Sequence, residues 1–192
     1  MDNKERLRKW LWLGLDETTA KKYQRKLSAE NVRIIRNESV IIAGIGALYT
    51  ICMLVLSHVY VKSLVCIIGA AWMFCIFLYT HSLLKKQDEI SKQETYASIG
   101  SFMICAYAVS IYVGTIGAGN ELAVTIVSLF VFLPTNFDLL PIYNLHITIV
   151  ALAMFFVSSY ITKTPDKFMY DVMDGILAAV IGNFAAFERA KI

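Results

Sequence analysis

Apolar residues fall in six blocks along this chain, separated by short polar stretches, and the block lengths carry the first inference. Residues 39–56, 63–84, 96–114, 142–161 and 168–187 each run for 18 residues or more with few charges. A helix of about 20 residues crosses a hydrocarbon core about 30 Å thick, so these blocks predict membrane-spanning helices. The block at 121–133 has only 13 residues, about 20 Å of helix, and is short for a span. It either extends through Pro134-Thr135-Asn136-Phe137-Asp138-Leu139-Leu140-Pro141 or begins inside the glycine turn Gly117-Ala118-Gly119-Asn120. Two prolines without amide donors predict an interrupted hairpin there. The expected fold is an all-α integral membrane bundle of six transmembrane helices, preceded by a charged amino-terminal helix on the cytoplasmic side.

Small residues recur within two blocks. Ala106, Ser110 and Gly114 share one face of the third, and Ala178, Gly182 and Ala186 share one face of the sixth. Such faces let neighbouring helices approach closely where no hydrophobic drive separates helix from lipid, so they predict packing and transmission seams. Counting back by four from Ala178 reaches Asp174, with Asp171 three residues earlier. The two carboxylates are expected on the packing face, because a charge inside a bilayer costs about 2.5–3.5 kcal/mol even on insertion scales.

Composition agrees with the pattern. The chain is 57% hydrophobic and 17% charged, with a mean hydropathy of +0.58, against roughly 45–50% apolar in soluble domains. The net charge of +3 hides an uneven distribution. Residues 1–38 carry ten basic residues, from Lys4 to Arg36, and residues 85–95 and the tail bring the total on one side to 15 of 18. Basic loops stay cytoplasmic, which places both termini inside a plasma membrane. The leader contains the aromatic patch Trp10-Leu11-Trp12-Leu13, an interfacial anchor pattern, and Asp16 as a helix cap. Tyr23, Leu27 and Ile34 then recur at helical spacing, and the helix is expected to run unbroken into the first span. The leader is either a solvated cytoplasmic segment or a dimerisation or docking surface.

Catalytic motifs are absent: the sequence holds no HExxH, GxSxG or P-loop. No cofactor, metal or nucleic-acid partner is expected. Cys52, Cys66, Cys75 and Cys105 sit in apolar blocks without metal-ligand spacing and act as small hydrophobes. His58, His81 and His146 are isolated, each a boundary or buried polar group unless two meet across helices. The acidic pair of the last block supports two readings. In one, Asp171 pairs with Lys167 one turn earlier, Asp174 accepts from a serine or tyrosine, and both fix packing. In the other, Asp171 and Asp174 line an outward pocket with Tyr112, Tyr160 and Tyr170 for a small cationic or hydrogen-bonding ligand. Asn136, Asp138, Asn144 and His146 form a second polar group at the proline-bounded hairpin.

The layout resembles the membrane-embedded input regions of bacterial diguanylate cyclases, the GGDEF-domain proteins. The similar features are a charged leader ending in Glu30-Asn31-Val32-Arg33-Ile34-Ile35-Arg36, six spans with short outer loops, and an Asp-bearing last span leaving as Glu188-Arg189-Ala190-Lys191-Ile192. The sequence holds no GGDEF motif. The resemblance implies a sensor region of a cyclic di-GMP signalling protein, homodimeric and in membrane lipid, coupled to a cytoplasmic effector beyond Ile192. The expected division is a leader at 1–38, a six-span membrane domain at 39–187, and the start of an output helix at 188–192. Rival expectations are a small transporter, suggested by the Pro134 to Pro141 break, and a structural or assembly subunit.

Overall fold

The computed structural model describes residues 17–57, 60–85, 90–137 and 141–190. The expected anchor at Trp10 to Leu13, the Asp16 cap, His58, Asp138 and the last two residues lie outside them, as do the side chains of Tyr23 and Leu27. The described residues are helical with no strand. Six helices follow one another: α1 (Glu17–Cys52), α2 (Tyr60–Lys85), α3 (Lys92–Gly114), α4 (Val124–Asn136), α5 (Pro141–Thr162) and α6 (Pro165–Ala190). A π-helical turn, Met53–Ser57, ends α1.

Five of these helices are long and apolar enough to cross a membrane, and α4 is a shorter apolar helix of 13 residues. This is a multi-pass membrane protein by the length and composition of its helices. Their outer faces carry Ile41, Ile45, Leu48, Leu64, Phe74, Leu78, Ile149, Met154, Ile176 and Leu177, all exposed. So much exposed apolar surface on each unit is unsustainable in water and suits a hydrocarbon solvent. The interior joins large apolar side chains such as Phe102, Phe130 and Phe155 to hydroxyl residues: Ser39, Ser63, Thr80, Ser98, Thr115, Thr148 and Ser159 are all buried. In α3, 56% of the most apolar stretch is buried, against 17% in the first span, so α3 is the most buried of the five long helices.

Contacts divide the chain into two compact units. The first is Ser28–Val113. Here α1 passes α2 at Gly46, where an added Cβ would lie 3.3 Å from that of Ala70. Helix α2 meets α3 at Gly69, whose missing Cβ leaves room for Val109 and whose carbonyl accepts from the Cys105 thiol at 3.6 Å. Trp72 Nε1 donates to Ser101 Oγ at 2.9 Å across the same seam. Ala106 and Ser110 are buried along α3.

The second unit runs from Gly114 onward, together with the part of α1 before Ser28. Its core is α4 and α5 packed along α6, with α4 the closer companion. In the stretch expected to form an interrupted hairpin, α4 continues through Pro134 to Asn136, Phe137 is extended, residues 138–140 lie outside the described residues, and α5 starts at Pro141. The helix persists because Pro134 falls in its last turn, where only one internal bond, to the Phe130 carbonyl, is forfeited.

Candidate functional site: a buried ion pair at the head of the last helix

Helix α6 begins after the corner Lys163-Thr164, and Asp171 lies six residues into it, roughly 9 Å along the axis. Its carboxylate is 1% exposed as a residue and reaches three donors. Lys163 Nζ lies 2.6 Å from Oδ2, Ser159 Oγ donates to Oδ2 at 2.6 Å, and the Ala123 amide donates to Oδ1 at 3.1 Å. Lys163 also donates to the Glu121 carbonyl at 2.6 Å. The ion pair is therefore buried with its hydrogen bonds in place, the condition under which mutual attraction offsets desolvation.

The Ala123 amide explains why a carboxylate belongs here. Ala123 is the N-cap of α4 and supplies no side-chain cap of its own. The first amides of a helix lack internal acceptors and carry its positive dipole end. Asp171 provides the missing acceptor and the opposing charge from another helix. Around this node Thr115 and Ser158 hydroxyls meet at 2.6 Å, and Asn120 Oδ1 accepts from the Thr164 amide and hydroxyl, both at 3.0 Å. Gly119 turns the connecting segment at φ +62°, a left-handed conformation glycine adopts freely. Together these bonds stitch residues 115–123 onto the α5–α6 corner.

The seam continues down α6 through Gly175, Ala178, Ala179, Gly182 and Ala186, all buried. Gly175 faces the rings of Phe155 and Phe156. At Gly182 an added Cβ would collide with the Phe130 carbonyl oxygen and lie 3.0 Å from Val131 Cα, so the backbones of α4 and α6 touch there. That carbonyl is the one Pro134 cannot serve with an amide. Farther on, Asn183 Nδ2 donates to Thr148 Oγ1 at 3.1 Å and to the Ala179 carbonyl.

At the far end of α4 the last carbonyls need outside donors. Asn144 Nδ2 donates to the Pro134 carbonyl at 3.2 Å, while its Oδ1 is buried with no partner. Arg189, near the end of α6, donates to the Thr135 carbonyl. His146 bonds the Ile142 carbonyl of its own helix, and Asn136 is half-buried. The second polar group thus contributes Asn144 to the α4 terminus and leaves His146 exposed.

Two expectations need correction. Asp171 pairs with Lys163 in the corner, not with Lys167 on its own helix. Asp174 does not share the packing face; it is exposed. At 100° per residue it sits about 90° from the centre of the buried seam, which starts at Asp171 and Gly175. Tyr160 and Tyr170 are exposed, at 71% and 58%, and Tyr112 is half-buried. Residue patterns alone missed Ala123, Ser159, Lys163 and Arg189. Lys163 carried one signal: it is one of three basic residues outside the three basic regions, and it adjoins the span that carries two aspartates. Among the described residues no group of three or more His, Cys, Asp or Glu could hold a metal ion. Compared with protein-family models, curated proteins and solved structures, the chain matches none.

Proposed function

We propose that this chain is a membrane-embedded input module that relays a state through α6 to a cytoplasmic effector, with both termini inside and a second copy as its partner. The observation that carries the reading is the unbroken α6: its first two turns bring Asp171 to Lys163 of the preceding corner, its middle touches the α4 backbone at Gly182, and its charged end bears Arg189. A change at one end reaches the other through one rigid element. The layout shared with diguanylate cyclase input regions points the same way, toward a helical output. A signal would act by stabilising two packings of α6 unequally. Asp174, exposed with Tyr170 one turn before it, is the acidic group available to a small cationic ligand.

The test is a fusion of α6, in helical phase, to a reporter whose activity depends on helix orientation. Gly182→Leu should shift reporter output severalfold at equal membrane abundance, while Met173→Leu on the exposed face leaves it unchanged. Output from Gly182→Leu equal to wild type sinks the proposal. Tags read from each side of the membrane check the orientation, and a tag reached only from outside would reverse it.

One observation favours a second reading, a small transporter. Helix α4 is of half length, and its carbonyl end is served by the buried Asn144 and by Arg189, as in discontinuous helices that line transport sites. Solute or ion flux in proteoliposomes that Asn144→Ala abolishes would select it.

A further inference from the structure

We infer that Asp174 recognises a lipophilic organic cation that reaches α6 from within the bilayer. This names the ligand class left open in the input-module reading, and it rests on that reading only for what binding does next. The two aspartates of α6 stand three residues apart and are treated differently. Asp171 turns inward and has three donors. Asp174 is exposed and, among the described residues, makes no hydrogen bond or ion pair. The span Pro165–Arg189 has 25 residues, roughly 37 Å of helix against a hydrocarbon core about 30 Å thick. With the helix centred, Asp174 falls about 10 Å inside the hydrocarbon. An ionisable residue at that depth is costly unless it is paired, and it marks a ligand or ion site.

The surroundings of Asp174 select the partner. Tyr170 lies one turn before it on the same face, Leu177 and Ile181 lie one and two turns after it, and all three are exposed, as is Met173 beside it. A carboxylate and a phenol on an apolar face cannot replace the shell of about six or more oxygens that a divalent metal ion requires. An organic cation makes no such demand. Its charge is met by Asp174 and by the ring of Tyr170, which attracts a cation to its face. Its apolar body rests on Leu177 and Ile181 with lipid on the other side. The carboxylate thus fixes the sign of the ligand, and the apolar face fixes its body. The site lies on the outer side of the same rigid helix whose inner side carries Asp171, Gly175 and Gly182, so a bound cation bears on α6 as a whole.

The probe is tetraphenylphosphonium, added to the full chain in lipid nanodiscs with the uptake of empty nanodiscs subtracted. Saturable binding is expected, weakened about tenfold by Asp174→Asn and restored by Asp174→Glu. Asp166→Asn, which removes an exposed carboxylate from the first turn of α6, should leave binding unchanged. Tetramethylammonium, with the same charge and little apolar body, should not compete at the same concentration. No saturable binding, or equal binding by wild type and Asp174→Asn, overturns the proposal. Equal competition by tetramethylammonium also overturns it, because the site would then be open to water. So does a second membrane protein that co-purifies with the wild type and is lost from Asp174→Asn, since a basic helix would then be the cation. Binding is read without any output. Binding in a chain whose reporter ignores Gly182→Leu fails the input-module reading alone, and a responsive reporter without binding fails this proposal alone.

Discussion

Asp171 is the residue on which the largest local energies turn. Removing one member of a buried ion pair leaves the other charged and unpaired, at a cost of about 3–5 kcal/mol. Asp171→Ala should therefore lower stability by about that much in detergent unfolding, because Lys163 is left buried and the Ala123 amide loses its acceptor. The double variant Asp171→Leu with Lys163→Met should recover part of the loss, since no charge is stranded. A double variant weaker than the single would mean that capping α4 matters more than the pair. Gly182 is the second such residue. Even one methyl there must displace the α4 backbone, so Gly182→Ala should cost about 1–3 kcal/mol, measured in the same unfolding assay. At the exposed positions Met173 and Leu177 the equivalent change should be nearly silent.

At the scale of elements, α4 depends on α6 for what a longer helix provides for itself. Its 13 residues span about 20 Å, so both termini would fall within hydrocarbon unless protein groups satisfied them. Asp171 does so at the amino end, and Asn144 and Arg189 do so at the carboxyl end. By contrast α5 is tied to α6 by the Ser159–Asp171 bond at the head and, farther down, by ordinary packing and the Asn183–Thr148 bond. Interhelical hydrogen bonds in membranes average about 0.6 kcal/mol, so Asn183→Ala should cost well under the Asp171 variant. A loss above about 2 kcal/mol in unfolding would show that this bond does more than its class.

For the whole molecule, solvent determines which faces are apolar. The outer surface carries large aliphatic and aromatic side chains, and the interior combines an apolar core, Phe102, Phe130 and Phe155 among it, with buried serine and threonine. Substitutions should follow that contrast. Ile45→Lys, on an exposed face of α1, should impair membrane insertion by about 2.5–3.5 kcal/mol on insertion scales. Thr80, buried with its hydroxyl bonded to the Ile76 carbonyl of its own helix, should tolerate valine with little loss. Insertion measured by glycosylation-site tagging separates the two. If Ile45→Lys inserts as wild type does, that face of α1 is not in contact with lipid.

The amino-acid sequence by itself determined the helical class, the apolar blocks and the small-residue face at Ala178, Gly182 and Ala186. Each depends only on local composition or on the 3.6-residue repeat, which the chain carries wherever it goes. The continuity of α1 from Glu17 through Ser39 was legible for the same reason. The partner of Asp171 was decided only by tertiary structure. Helical spacing points to Lys167, whereas Lys163 sits in a non-helical corner where no repeat predicts direction, and Ala123 lies 48 residues away. Whether α4 breaks or continues was likewise settled by its neighbours. A proline and a buried helix end are tolerable only where other helices bring donors and acceptors to them, and that depends on packing.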